Sequence, residues 1–270
     1  MIAAIGFGFV ILGLTLKIPA KVLGIIGLII VCGHNLLPII TVDDKSLVKA
    51  TLFTLYLPSV NAITPNTTFL LVYPPLPWLG IMYLGFGSGF IFNWSAEKRK
   101  AVFIKLEAGL MVLFVVLRFS NFYGDPALWA KQKTDLFTFL SFINVTKYPP
   151  SLLYCSITLG FMFMLLYFAE DLNNKIRKLV SVYGKVPLFY YILHWYTAHI
   201  IMYLLLFVQV FSFADFLYGY NLGRPKAENG VSLFGTYIVW ILIVLALYPI
   251  CKWYGAYKDE HKEKWWLRYL

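Results

Sequence analysis

Few side chains in this sequence are reactive, and they collect at the ends of long apolar runs. Arg118-Phe119-Ser120-Asn121-Phe122-Tyr123-Gly124-Asp125-Pro126 sets a cation, an amide, a phenol and a carboxylate close together. Such a group can bind a sugar or orient a nucleophile. It can equally close a local ion pair and an Asx turn shaped by Gly124 and Pro126. Two further segments, Tyr73-Pro74-Pro75-Leu76-Pro77-Trp78 and Lys147-Tyr148-Pro149-Pro150-Ser151, read as helix starts. Proline suits a first turn because its missing N–H would be unpaired there anyway. The free N–H groups and positive dipole end of such a start can receive an anion or a developing oxyanion, and Lys147 adds a full charge beside the second one. The plainer reading of both is a well-made helix start with aromatic belt residues.

Histidine titrates near neutral pH and can act as a base or a phosphate partner. His34 stands about two-thirds of the way along an apolar run that begins at Lys21, with Asn35 about 100° round the helix from it. His194 lies about two turns into a run opened by Gly184-Lys185-Val186-Pro187-Leu188-Phe189-Tyr190-Tyr191, and His199 falls on a different face. A histidine hydrogen-bonded across a helix bundle is the competing reading for each. Cys32, Cys155 and Cys251 sit singly in apolar runs, with no zinc-type spacing, and read as small core residues. No metal site, phosphate loop or nucleophile elbow is legible. Asn66-Thr67-Thr68 and Asn144-Val145-Thr146 are glycan acceptor triplets, meaningful only in a glycosylating secretory pathway.

The elements that must carry these residues follow from composition. Of the 270 residues, 60% are apolar or aromatic and 13% are charged, with a mean hydropathy of +0.73. One soluble core cannot hide that much apolar surface, whereas lipid solvates it. A helix needs about 20 apolar residues to cross the hydrocarbon. Runs near 2–16, 22–40, 74–94, 103–121, 149–170, 186–212 and 233–252 predict an all-α polytopic transmembrane bundle of about seven spans. The runs do not alternate with period two, which argues against a β-barrel. The expected organisation is a transmembrane domain over 1–252 and an interfacial tail over 253–270, where Trp253, Trp265, Trp266 and Tyr269 mix with cations. On the third run, Gly80, Gly85, Gly87 and Gly89 make a small-residue face for helix packing, with Gly85 and Gly89 at close-packing spacing.

Charge sets the expected orientation. Lys17 and Lys21, then Lys98, Arg99, Lys100 and Lys105, then Lys175, Arg177, Lys178 and Lys185, then the tail occupy alternate connections. The positive-inside bias makes that side cytoplasmic, C-terminus included. The formal charge of +10 is thus mostly a topology signal, with the bilayer and its anionic lipid as partners. Scattered cations without a nucleic-acid motif argue against nucleic acid. Met1 opens directly into Ile-Ala-Ala-Ile-Gly-Phe-Gly with no charged stretch or cleavage site. The expectation is that earlier helices precede it; a genuine short first helix is the simpler alternative.

Three segments in order carry a resemblance: Tyr73–Gly80, Asn121–Pro126 together with Asn144–Leu153, and Gly184–His194. With the Cys251-Lys252-Trp253 and Trp265–Leu270 ending, the whole chain resembles a bacterial integral membrane family of unknown function related to heparan-alpha-glucosaminide N-acetyltransferase. The resemblance implies a bacterial cytoplasmic-membrane protein that moves an acetyl group from cytoplasmic acetyl-CoA to a sugar or other amine or hydroxyl acceptor outside. For such a reaction in this chain, the residues assigned to catalysis are Lys147, Arg118 and His34, with Asn121, Tyr123, Asp125, Tyr148 and Ser151 around a carbohydrate-like acceptor. His34 does not simply inherit the family histidine's role. His194, Lys185 and Tyr190 then contact the donor. Family members begin with further helices bearing an Arg-Gly pair and an Asp-His pair, for which this sequence has no counterpart, and the motif around His34 differs from theirs. A small-solute transporter and a non-catalytic envelope assembly protein are the alternatives, and a homodimer is compatible with the sequence.

Overall fold

Glycine and β-branched residues fill the first two helices, yet both form, because lipid leaves a backbone polar group no partner but its own helix. The structure is a computed structural model that describes residues 2–39, 54–64, 67–218 and 222–268. Helix accounts for 72% of it, so the all-α expectation stands. In chain order, α1 is Ile2–Leu14, α2 Ala20–Gly33, α3 Pro75–Ser88, α4 Ala96–Ser120, α5 Asp135–Ile143, α6 Leu152–Ala169, α7 Asn174–Lys185, α8 Pro187–Val208 and α9 Leu233–Glu260. One antiparallel hairpin, β1 Ser59–Thr64 with β2 Thr67–Leu71, precedes α3. Asn66 of the first acceptor triplet lies outside the described residues.

Among the described residues, five helices are long and apolar enough to cross a membrane: Ala20–Leu37, Pro75–Asn93, Leu152–Ala169, Pro187–Val208 and Leu233–Glu260. They make the chain a membrane protein by length and composition. The seven-span expectation exceeds this count for two physical reasons. Helix α1 has 13 residues, about 20 Å at 1.5 Å per residue, against a hydrocarbon core of about 30 Å. Helix α4 has 25 residues, but Lys105, Glu107 and Arg118 interrupt its apolar stretch.

The chain divides into two compact units, Met1–Asp171 and Leu172–Leu270. In the first, α2 lies along α3, α1 against α3, and α4 along α6. The α2–α3 contact is backbone against backbone. A Cβ on Gly27 would come within 2.6 Å of the Gly80 carbonyl oxygen, and one on Gly87 within 2.5 Å of Gly24 Cα. Gly85 and Gly89 meet nothing within 4 Å, so the packing face runs through Gly80 and Gly87 instead of the expected Gly85–Gly89 pair. At the start of α4, Arg99 forks onto Glu170 through Nε (2.6 Å) and Nη2 (2.7 Å), and Lys100 pairs with Asp171, tying that start to the end of α6.

In the second unit α9 packs against α7 and α8. Helix α9 runs unbroken past 252, through Pro249, to Glu260. A 3₁₀ turn at Trp265–Arg268 then returns Leu267, 2% exposed, to a core of Val186, Ile243, Leu247, Cys251 and Tyr254. That part of the expected tail is packed against its own unit.

Candidate functional site

Five of the residues expected to face an acceptor converge where α4 ends and α6 begins. Asn121 ends α4 in the left-handed region (φ 53°), a conformation that asparagine tolerates better than most residues. Its side chain spans the turn: Nδ2 donates to the Trp129 carbonyl (2.9 Å) and Oδ1 accepts from the Trp129 N–H (3.1 Å). The Trp129 indole N–H donates back to the Arg118 carbonyl at 2.8 Å.

Arg118 is 1% exposed and commits its guanidinium to main-chain oxygens. Nε donates to Phe142 (2.7 Å), Nη1 to Ala127 (2.7 Å), and Nη2 to Ser141 (2.9 Å) and Asn144 (2.6 Å). Three of those carbonyls lie at the finishing end of α5, where helix oxygens lack intrahelical partners and the dipole favours a cation. Asp125 is similarly engaged. It accepts from the Ala127 N–H (2.8 Å), the Thr146 N–H (2.8 Å), the Thr146 hydroxyl (2.9 Å) and the Ser151 hydroxyl (2.6 Å). The pair thus holds its own loop through the backbone, and among the described residues Arg118 and Asp125 form no direct ion pair.

The first turn of α6 is also filled from within. The N–H of Ser151 donates to the Thr146 carbonyl (3.0 Å) and that of Leu153 to the Gly124 carbonyl (3.0 Å). The N–H of Leu152 donates to Asn35 Oδ1 (3.0 Å) and that of Tyr154 to Ser151 Oγ (3.0 Å). The expected anion-receiving N–H groups are therefore taken by these contacts at this start. At α3, Pro74, Pro75 and Pro77 have no N–H to give. Asn35, Trp129 and Thr146, which sequence reasoning missed as parts of this site, hold these contacts across long chain separations that no local spacing marks.

Beside this capped start stands His34, 4% exposed, in a 3₁₀ turn that continues α2. Its Nδ1 lies 3.0 Å from the Ile30 carbonyl and 3.1 Å from the Val31 carbonyl. Carbonyls only accept, so Nδ1 carries the hydrogen and Nε2 of the neutral ring holds the lone pair. Nε2 is buried and makes no well-formed hydrogen bond, and the Pro150 carbonyl is a further polar contact of the ring. Val31, Leu152 and Cys155 form a buried apolar cluster joining α2 to the start of α6, with Cys32, Leu117 and Tyr123 packed against it. The Tyr123 hydroxyl donates to the Cys32 carbonyl, so the phenol also joins α2 to this loop.

Lys147 is exposed, with Nζ 5.4 Å from the centre of the Tyr148 ring. The Tyr148 and Tyr73 hydroxyls are 2.9 Å apart, and their rings meet edge-on at 4.8 Å. The Tyr73 hydroxyl first, and the Lys147 ammonium after it, hold the Tyr148 phenol below the usual tyrosine range. This corner is the accessible, cationic part of the site.

The residues expected to meet a donor belong to the second unit. Tyr190 and His194 stack at 5.2 Å with planes 13° apart, and His194 Nδ1 is 3.2 Å from the Tyr190 carbonyl. Lys185 pairs with Asp259 at 2.8 Å on the surface. His199 Nδ1 is 2.8 Å from the Trp195 carbonyl, and the His199 and Trp195 ring centres are 3.9 Å apart. Among the described residues no group of three His, Cys, Asp or Glu side chains could hold a metal ion. No family model, curated protein or solved structure matches this chain.

Proposed function

We propose that this chain is a membrane-embedded acyltransferase-like protein that moves an acetyl group from cytoplasmic acetyl-CoA to a sugar or other amine or hydroxyl acceptor on the outer side of a bacterial cytoplasmic membrane. The observation that carries the reading is the buried Nε2 of His34, which makes no well-formed hydrogen bond, beside the loop that bears Lys147, Tyr148 and Ser151. A ring whose Nδ1 is fixed as the donor by two carbonyls presents a base at the other nitrogen. Seven crossings, with α1 and α4 added to the five apolar helices, and a cytoplasmic C-terminus complete the arrangement.

In this reading His34 Nε2 takes the proton of the acceptor as its nitrogen or oxygen attacks the acetyl carbonyl. The C–S bond of the thioester then breaks, the acetyl group stays on the acceptor, and the CoA sulfur leaves with the proton. Lys147 stabilises the oxyanion of the tetrahedral intermediate. Arg118, Asp125, Asn121 and Tyr123 act through position, since their hydrogen bonds hold the loop and the start of α6. Tyr148 and Ser151 border the acceptor. The resemblance to the acetyltransferase-related family supports the same reaction class.

The test is transfer of labelled acetyl from acetyl-CoA inside native membrane vesicles to outer acceptors. His34→Asn keeps a donor near Nδ1 and deletes Nε2, so the rate should fall at least about 100-fold, the low end for a general base, with unfolding unchanged. A wild-type protein that transfers nothing, or a His34→Asn variant as fast as wild type, overturns the proposal. Solute uptake without an acyl donor would move it to the transporter reading.

A further inference from the structure

The sequence reads 175–185 only as a basic connection, yet this stretch folds as the 12-residue helix α7. Asn173 caps it, its side chain accepting from the Ile176 N–H at 2.9 Å. On a helix of 3.6 residues per turn, Ile176, Leu179, Val180 and Tyr183 fall within about 100° of arc. Lys178, Ser181 and Lys185 lie on the opposite side. This is the pattern of an amphipathic helix, whose apolar face needs a neighbour.

Only the end of that face has one. Val182 and Tyr183 pack on the core of Val186, Ile243 and Leu247, and the Tyr183 hydroxyl donates to the Val244 carbonyl. At the start of the helix the stripe is bare: Ile176 is 45%, Leu179 55% and Val180 60% exposed. The polar side carries one sign of charge, because residues 174–185 hold Lys175, Arg177, Lys178 and Lys185 and no carboxylate. Lys185 is spent on Asp259, and Arg177 reaches the Leu172 carbonyl among its contacts. Lys175 and Lys178 are exposed and belong to none of the ion pairs among the described residues. Cations in the opening turns also oppose the helix dipole, whose positive end is there, and an anionic layer outside the helix would relieve that conflict.

Helix α8, long and apolar enough to cross a membrane, starts at Pro187 directly after α7. The last turn of α7 is held to α9, which is also long and apolar enough to cross. A bare apolar stripe flanked by lysines, joined this closely to the start of a span, matches a leaflet of anionic phospholipid, with acyl chains for the stripe and phosphates for the ammonium groups. We propose that α7 lies in the headgroup layer of the adjoining leaflet, with Ile176, Leu179 and Val180 among the acyl chains and Lys175 and Lys178 on the phosphates of anionic phospholipid. Their long side chains can reach up to the phosphates while the stripe stays below. The inference involves neither His34 nor the acetyl donor, and it stands or falls separately from acetyl transfer.

The test places a photoreactive benzophenone side chain at Leu179, and separately at Ser181, in the full chain. Each is irradiated in nanodiscs of equal phosphatidylglycerol and phosphatidylcholine, and in native membranes, and mass spectrometry identifies the adducts. At 179 the adducts should be lipid, joined through acyl carbons and richer in phosphatidylglycerol, whereas at 181 acyl adducts should be scarce. Lys175→Gln combined with Lys178→Gln, both at exposed positions, should cut the phosphatidylglycerol-to-phosphatidylcholine ratio at 179 about fivefold or more, a factor that the attraction of one lysine to an anionic surface supplies. Equal adducts of the two lipids, an unchanged ratio in the double variant, or acyl adducts as frequent at 181 as at 179 overturns the proposal. Adducts at 179 to a second protein chain in native membranes, in place of lipid, would also overturn it by giving the stripe to a protein partner.

Discussion

Replacing Arg118 separates a residue that holds a loop from one that acts on a reacting group. Its four contacts to main-chain oxygens span 2.6–2.9 Å. Hydrogen bonds from a charged donor contribute about 1.5–3 kcal/mol each, so four would sum to roughly 6–12 kcal/mol. Burying the guanidinium costs several kcal/mol in the other direction. In Arg118→Ala, the carbonyls freed at the end of α5 can also turn to water. The expected net loss is about 3–5 kcal/mol, as for breaking other buried charge contacts. Arg118→Lys should recover less than half of it, because one ammonium cannot reach Ala127 and the Ser141–Asn144 carbonyls together. The assay pairs denaturant unfolding in detergent with trypsin cleavage after Lys131 and Lys133, which sit exposed in the loop that Arg118 braces. Cleavage should speed up in step with the lost stability. If both variants unfold and are cleaved as wild type, the bracing argument is wrong; a loss of acetyl transfer alone would return Arg118 to electrostatic stabilisation.

Three other outcomes test the packing and the loops. Gly27→Ala should destabilise by about 2–3 kcal/mol, because the new methyl meets backbone that cannot rotate away. Gly85→Ala, facing open space, should be neutral or gain up to about 1 kcal/mol of helix propensity, and thermal unfolding distinguishes the two. Val210 is 92% exposed with φ 69°, a strain of order 1–3 kcal/mol for a β-branched residue. Val210→Gly should therefore raise stability by about 1 kcal/mol after the added freedom of the unfolded glycine, and an unchanged unfolding midpoint would count against that strain. The Ser212 N–H, followed by its hydroxyl, holds the Asp215 carboxyl below its ordinary range. A depressed folded-state pKa contributes stability that is complete above the unfolded value, about 3.9, and is lost as pH falls through the folded value. Wild type and Asp215→Asn should accordingly differ most above about pH 4 and converge in stronger acid; a constant difference across that range would deny the shift.

The helical, membrane-borne character of the chain was legible because it depends on summed composition, which lipid reads much as a hydropathy count does. The helix starts at Pro75 and Pro187 were legible too, since proline's fixed φ and missing N–H act locally. Two features escaped for opposite reasons. The α2–α3 seam uses Gly24 and Gly27 against Gly80 and Gly87, and nothing in the spacing of Gly85 and Gly89 reveals which helix, if any, faces them. The segments 118–126 and 147–151 hold the polar groups that the sequence marks, but neither the helix Asp135–Ile143 between them nor the partners of those groups is legible from spacing. Asn35 reaches Leu152 from 117 positions away, and Arg118 finds its oxygens 9 to 26 positions on. A sequence shows that such a group must be satisfied, without showing by what.

That distinction bears on where reactive chemistry can stand in a membrane helix bundle. Ends of helices leave carbonyls and N–H groups without partners, and a bilayer makes each of them costly. A cluster of Arg, Asp, Asn and Ser at such an end therefore has the composition of an active site even when its whole task is to satisfy backbone. The more discriminating sign is a buried polar atom that the fold leaves without a well-formed hydrogen bond. Among the described residues three side-chain atoms meet that condition: His34 Nε2, Trp78 Nε1 and Tyr254 Oη. The indole N–H can only donate, and a phenol ionises near pH 10, far from neutral. The imidazole, with Nδ1 committed as a donor to Ile30 and Val31, is the one of the three that holds a basic lone pair at neutral pH. The proposed proton acceptor thus rests on the atom to which this fold gives no well-formed hydrogen bond, whereas the more conspicuous Arg118 and Asp125 are spent on the loop's own backbone and hydroxyls.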